Sequence, residues 1–200
     1  MMSIFSIREI DESVTLAVNG LHTALSDQFW HFMSDKKVWI PFYLILITLL
    51  LYRLGWKKTL LAVFCTALTI LACDQTAELF KYSVGRLRPC YNLDMVEGGL
   101  RILEGRGHLF GFFSAHAADS FGLAACLGGC MLMKDKGKGR GPFVATLFIW
   151  ALLVSTSRVF LGKHFVGDVL TGALIGMTYG FIASRMAIFL SKRLAFFPEN

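Results

Sequence analysis

The residues best equipped for chemistry cluster between Ser157 and Asp168, where the chain reads Ser-Arg-Val-Phe-Leu-Gly-Lys-His-Phe-Val-Gly-Asp. Arg158, Lys163, His164 and Asp168 fall within eleven residues, with long apolar runs on either side. His164 and Asp168 are four apart, so they share a face once a helix has begun. A carboxylate held against an imidazole fixes its tautomer, raises its basicity and stabilises the cation it becomes. Arg158 adds a planar fork of donors that matches phosphate oxygens. These residue types suggest a nucleophilic or basic histidine beside an anion clamp. The competing reading is a solvated polar loop between two helices.

Two earlier stretches carry related chemistry. The first runs Lys81-Tyr-Ser-Val-Gly-Arg-Leu-Arg88-Pro89. Lys81 and Arg88 would lie two turns apart on a continuous helix, but Gly85 and Pro89 predict that the helix ends sooner. Two cations at a membrane edge can clamp an anionic group, or simply snorkel to anchor a helix end. The second stretch is Phe113-Ser114-Ala115-His116, at the start of an apolar segment. Ser114 suits an N-cap, and free N–H groups at a helix start bind phosphate. His116 would project into that site as a proton donor, although a lone histidine there more often serves structure. Asp74 and Glu78 are expected to pair with Lys81 or Arg86, and Asp119, one turn past His116, to hold that ring. Lys163 and Arg86 would add to the positive field.

The elements that position these residues are helices in a membrane. Apolar residues make up 55% of the 200, and charged residues only 17%, against about 25% in an ordinary soluble domain. The predicted fold is an all-α integral membrane protein. One domain spans 1–200, with a transmembrane core over 38–190 and an outer loop over 81–116. Residues 11–33 read as two short amphipathic helices at the membrane surface, split by the turn signal Asn19-Gly20. Five apolar segments follow: Val38–Tyr52, Thr59 to about Phe80, Ser120–Met133, Gly141–Ser157 and Val169–Ser184. Five helices therefore cross, or six if 11–33 crosses too. Several segments fall short of the roughly 20 residues of a full span, because polar residues sit at one end of each. Residues 1–10 lack the apolar core of a signal peptide, so the protein's own helices are expected to direct insertion. Of the five cysteines, only Cys90 lies in a polar loop, and the other four read as small packing residues.

The net charge of +6 is informative by position. Arg53, Lys57, Lys58, the Lys134–Arg140 cluster, and Arg185, Lys192 and Arg193 hold half of the basic residues and fall on one side of five crossings. The positive-inside rule makes that side cytoplasmic. The stretches around Lys81–His116 and Arg158–Asp168 then share the opposite side. No aromatic-interleaved basic groove exists, which excludes nucleic acid as a partner. The loop Tyr91–Phe112 is too apolar for a free linker and is expected to lie on the bilayer.

Lys-x6-Arg-Pro, Ser-x-His and Ser-Arg-x5-His-x3-Asp, in that order and on one membrane side, resemble the motifs of the type 2 phosphatidic acid phosphatase family. The likeness covers about 90 residues, Lys81 to Asp168. The first and third motifs match in full. The second differs, because the family usually has Pro-Ser-Gly-His where this chain has Phe113-Ser114-Ala115-His116. The resemblance implies hydrolysis of a lipid phosphate ester or anhydride without metal or other cofactor. His164 would attack phosphorus and form a phosphohistidine, Asp168 would orient it, and His116 would protonate the leaving oxygen. Lys81, Arg88, Arg158, Ser114 and the backbone at Ala115 would hold the phosphoryl oxygens. It further implies a multi-pass protein of the inner (plasma) membrane, with its site on the periplasmic or extracellular face. Undecaprenyl diphosphate is the first expectation for the substrate. Lipid A is the runner-up, followed by phosphatidylglycerophosphate and phosphatidic acid. Outside that class stand a soluble haloperoxidase relative, disfavoured by the hydropathy, and a non-enzymatic membrane binding or transport protein. The residues are silent on subunit number.

Overall fold

Glycine and capping chemistry divide the chain into helices at places the sequence marks. A computed structural model of the protein describes residues 7–134 and 139–193. Helix α1 (Ile7–Gly20) ends at the Asn19-Gly20 turn, and α2 (Ala24–Ser34) starts from Thr23, which exchanges backbone and side-chain hydrogen bonds with Ser26. A 3-10 turn (Lys36–Trp39) leads into α3 (Ile40–Leu54), and Gly55, at φ +76°, separates it from α4 (Trp56–Val84). Gly85 ends α4 in the left-handed region, donating its N–H to the Lys81 carbonyl at 3.1 Å. The short α5 (Leu93–Glu97) precedes α6 (Ala115–Cys130), α7 (Arg140–Phe160) and α8 (Val166–Arg193).

The described residues form an all-α membrane protein. Four helical segments are long and apolar enough to cross a bilayer: Lys36–Leu54, Trp56–Val84, Arg140–Phe160 and Val166–Arg193. The expected crossing over Ser120–Met133 differs from these. It corresponds to α6, 16 residues long, followed by a 3-10 turn (Met131–Met133). Helix α6 packs against α4, α7 and α8, and ten of its residues are buried. It is rich in Ala, Gly and Cys because its neighbours are helices rather than lipid.

The closest of these contacts joins α6 to α8. Gly172, Gly176 and Gly180 line one face of α8 at four-residue spacing. A methyl group at Gly176 would lie 2.1 Å from the Ala118 carbonyl oxygen, and one at Gly180 2.3 Å from that of Gly122. The two backbones therefore touch, which sets the first turns of both helices side by side.

At the far end of the bundle the basic groups meet the other helix ends. Lys58 Nζ donates to the Met133 carbonyl at 3.0 Å and Arg140 Nε to that of Gly128 at 2.8 Å. Arg53 lies against Gly139. Residues 135–138 of the basic linker lie outside the described residues, as do 1–6 and 194–200. The loop Tyr91–Phe112 departs from its expected place on the bilayer. Met95 and Leu100 are buried against Phe165, and only Leu93 and Leu109 among its large apolar side chains point outward. Arg101 pins the loop to α2 through a two-pronged pair with Asp27, at 3.0 and 2.6 Å. All five cysteines are buried thiols, Cys90 included.

Gly176→Ala should destabilise the protein by about 1–3 kcal/mol, because a backbone carbonyl cannot yield the space. Thermal unfolding in detergent measures this, with Gly141→Ala as the control, since nothing lies within 4 Å of a methyl group there.

Candidate active site

The three motifs meet at one end of the bundle. The second joins the third through the backbone, since the Ser114 N–H donates to the Asp168 carbonyl at 3.1 Å. The first joins them through an antiparallel bridge at Leu87 and Phe110, closed by Arg88 N–H to Leu109 at 3.0 Å and Gly111 N–H to Arg86 at 2.9 Å. A methyl group on Gly111 would lie 2.7 Å from Arg88 Cγ and 3.6 Å from Asp168 Oδ2, so this contact needs a residue without a side chain.

His164 lies in the link between α7 and α8 and is 3% exposed. Its Nδ1 is 3.5 Å from Asp168 Oδ2. This is longer than a formed hydrogen bond, of the kind that tightens when the ring takes up charge. Asp168 is fully buried and is held by other contacts. Its Oδ2 accepts the Phe165 N–H at 3.1 Å, and its Oδ1 takes Arg86 at 2.7 Å. Burial, together with the charges of Arg158, Arg88 and Lys81, pushes the His164 imidazole well below its ordinary pKa. It is therefore a neutral ring with a lone pair to offer.

Arg158, near the end of α7, is buried. It donates to Ser34 Oγ and faces Glu104 at 3.9 Å, while its Nε is buried with no hydrogen-bond partner. Arg88 is held by loop carbonyls, with Nε to Phe110 at 3.2 Å and Nη1 to Arg106 at 3.5 Å. Lys163 donates to the Gly105 carbonyl and faces Glu104 at 3.6 Å. Lys81 is paired with Glu78 at 3.0 Å, as expected, and reaches His164 through its field.

The second motif, which departs from the family pattern, forms a regular capped helix start. Ser114 caps α6, its hydroxyl accepting the Ala117 N–H at 3.4 Å. The hydroxyl is fully buried in that task, which leaves the first-turn N–H groups of Ala115 and His116 ahead of the helical ladder. No described non-glycine residue has positive φ, so Ala115 sits where glycine's freedom is not needed. Phe113 is buried against Cys73, Ala77 and Ala118. His116 lies within the fields of Arg158, Lys36, His164 and Arg88. It lines a cavity of about 390 Å³ with Lys36, Asp119, Trp39, Leu46 and Trp150. Asp119 faces Lys36 at 3.6 Å rather than holding His116.

Three site residues lie outside the motifs. Arg86, an alternative partner to Lys81 for Asp74 and Glu78, pairs with Asp168 while Glu78 takes Lys81. Its signal is its place two before Arg88 in an extended segment, which puts both on one side. Lys36 comes from the turn before α3. Glu104, on the loop, is a carboxylate among cations, within 4 Å of Arg158, Lys163 and His31.

An all-α membrane bundle with two histidines, an Asp–His pair and several cations at one helix end defines a membrane phosphatase that hydrolyses phosphate esters. The chain belongs to the PAP2 superfamily, which matches residues 58–191. It is 36% identical over 190 residues to the lipid A 4′-phosphatase of Bacteroides thetaiotaomicron, covering 94% of this chain and 81% of that one. It is 27% identical over 190 residues to the lipid A 4′-phosphatase of Porphyromonas gingivalis, covering 94% and 77%. Two crystal structures share the fold. The PAP2-type phosphatidylglycerolphosphate phosphatase of Bacillus subtilis gives a TM-score of 0.70 at 20% identity, over 95% of this chain and 89% of that one. Aquifex aeolicus LpxE gives 0.65 at 24% identity, over 92% and 99%.

Two outcomes follow from the charges. The folded state resists protonation of His164, whose pKa is lowered from 6.5. The penalty is therefore absent above that pH and grows as pH falls through it, with a slope of up to about 1.4 kcal/mol per pH unit. His164→Gln should flatten that slope in unfolding midpoints measured below pH 6.5. Glu104→Gln removes a carboxylate that competes for Lys163 and Arg158, and should tighten inorganic phosphate binding about fivefold by calorimetry, a change of about 1 kcal/mol.

Proposed function

We propose that the protein removes a phosphate from lipid A, or from a closely similar acylated sugar phosphate, by metal-independent transfer to His164. The convergence of the three motifs at one bundle end carries the chemistry. The two lipid A 4′-phosphatases carry the substrate, which moves the leading reading from undecaprenyl diphosphate to lipid A. The largely apolar cavity beside His116 suits a lipid whose phosphate stops at the helix ends.

In the first step the neutral His164 ring attacks phosphorus while the ester P–O bond breaks, and His116 gives its proton to the leaving oxygen. A phosphate dianion beside His116 favours its cationic form beforehand. Asp168 stabilises the positive charge that develops on His164. Arg158, Arg88 and Lys81, with the Ala115 and His116 N–H groups, take up charge on the phosphoryl oxygens. The buried, unpartnered Arg158 Nε is a donor waiting for such an oxygen. In the second step His116 removes a proton from water, the water oxygen attacks phosphorus, and the P–N bond breaks to release phosphate and His164. The basic groups at the far end support a site on the periplasmic face of the inner membrane.

The test is phosphate release by purified protein in vesicles containing a chelator and one lipid at a time: lipid A bisphosphate, undecaprenyl diphosphate or phosphatidylglycerophosphate. Lipid A should be cleaved fastest, and His164→Ala should lower kcat at least 1,000-fold, as loss of a nucleophile does. Faster release from undecaprenyl diphosphate would replace the substrate. Equal release by the variant would remove His164 as nucleophile.

A further inference from the structure

Helix α1 presents Asp11, Thr15 and Asn19 at four-residue spacing, hence on one face. That face lies across the junction of α7 and α8. Asn19 Nδ2 donates to the Val159 and Phe160 carbonyls, each at 3.0 Å, in the last turn of α7. Thr15 Oγ1 accepts the Val166 N–H at 3.0 Å, and Asp11 Oδ1 accepts the Gly167 N–H at 2.7 Å, both at the start of α8. A single helix thus satisfies backbone groups orphaned on each side of the loop that carries His164. The fit is close, since a methyl group on Gly167 would lie 2.7 Å from Asp11 Oδ2.

Asp11 does more than cap. Its Oδ2 holds Arg86 at 2.7 Å, and the other guanidinium nitrogen holds Asp168 Oδ1 at 2.7 Å. The Arg86 guanidinium sits over Phe165, its carbon 3.9 Å from the ring centre, which helps to hold it in place. The far oxygen of Asp168 faces His164 Nδ1. We propose that Asp11 is a positioning residue for the reaction, acting through Arg86 on the Asp168 carboxylate that faces His164. An arginine bound to Asp168 alone would cancel its charge. Shared with Asp11, it orients Asp168 and leaves negative potential to stabilise the His164 cation as the P–N bond forms. Asp168 is fully buried and Asp11 is 14% exposed, so solvent screens this coupling weakly. The inference rests on His164 as nucleophile.

The test uses the full chain in detergent with lipid A bisphosphate, reading kcat, KM and the unfolding midpoint. Asp11→Asn keeps an acceptor for the Gly167 N–H and loses the charge on Arg86. It should lower kcat about 10- to 100-fold, the usual range for partners behind a reacting group, with KM changed by less than about twofold. Thr15→Val removes a neighbouring docking bond without touching Arg86, and should lower the unfolding midpoint while leaving kcat nearly intact. In an Arg86→Gln background, Asp11→Asn should cost nothing further. Should Asp11→Asn fail to fold, Gly167→Ala displaces the same carboxylate and should show the same kcat loss at constant KM. Wild-type kcat in Asp11→Asn, equal kcat losses for Asp11→Asn and Thr15→Val, or additive losses with Arg86→Gln would each overturn the proposal. His164→Ala separates the two levels. If it stays active, the nucleophile and this inference both fall. If it is dead while Asp11→Asn is fully active, only the inference falls.

Discussion

The site depends on two helix backbones in contact. Glycine on α8 lets α6 approach until carbonyl oxygens occupy the space of side chains, and the hydrogen bond from Ser114 to Asp168 fixes the register. One-turn precision at this seam sets His116, near the start of α6, relative to Asp168 and the His164 ring beside it. Along the seam Gly172, Gly176 and Gly180 of α8 lie against Ala117, Ala118 and Gly122 of α6, the close approach of small residues that packs helices in a membrane. Charged groups collect only where it ends, at the edge of the bilayer.

That edge concentrates positive charge, and the protein balances it from two directions. Backbone carbonyls of the loop 98–111 engage Arg88 and Lys163, and Glu104 stands among Lys163, Arg158 and His31. On the other side, Arg86 is divided between two carboxylates. Cations held by neutral oxygens keep most of their field for an incoming anion, whereas a cation matched by carboxylates keeps little. Arg88 belongs to the first kind and Arg86 to the second, while Arg158, donating to Ser34 and 3.9 Å from Glu104, stands between them.

Much of this was legible before any coordinates. The break at Asn19-Gly20, the end of α4 at Gly85, the cap at Ser114 and the pairing of Glu78 with Lys81 follow from short-range chemistry written in adjacent residues. The three motifs point to a shared site through their resemblance to a known family, and the structure brings them to one end of the bundle. What the sequence hid is long-range. Arg86 chose Asp168, 82 residues away, over nearby acids, because the extended segment after Gly85 turns it from α4 towards α8. Asp119 chose Lys36 over the histidine one turn away. The outer loop turned its apolar residues onto Phe165 rather than the lipid, and no local pattern distinguishes those two oils. Helix α6 is apolar in sequence, and the sequence does not reveal that its neighbours are helices rather than lipid.

The enclosure of α6 bears on how the chain is made. The helices that flank α6 include two that follow it in the chain. It can therefore settle fully only after α8 has emerged. Because the seam between those two helices also assembles the reacting groups, a nascent chain carries no half-built hydrolase while it waits in the membrane. Competence therefore arrives only with α8.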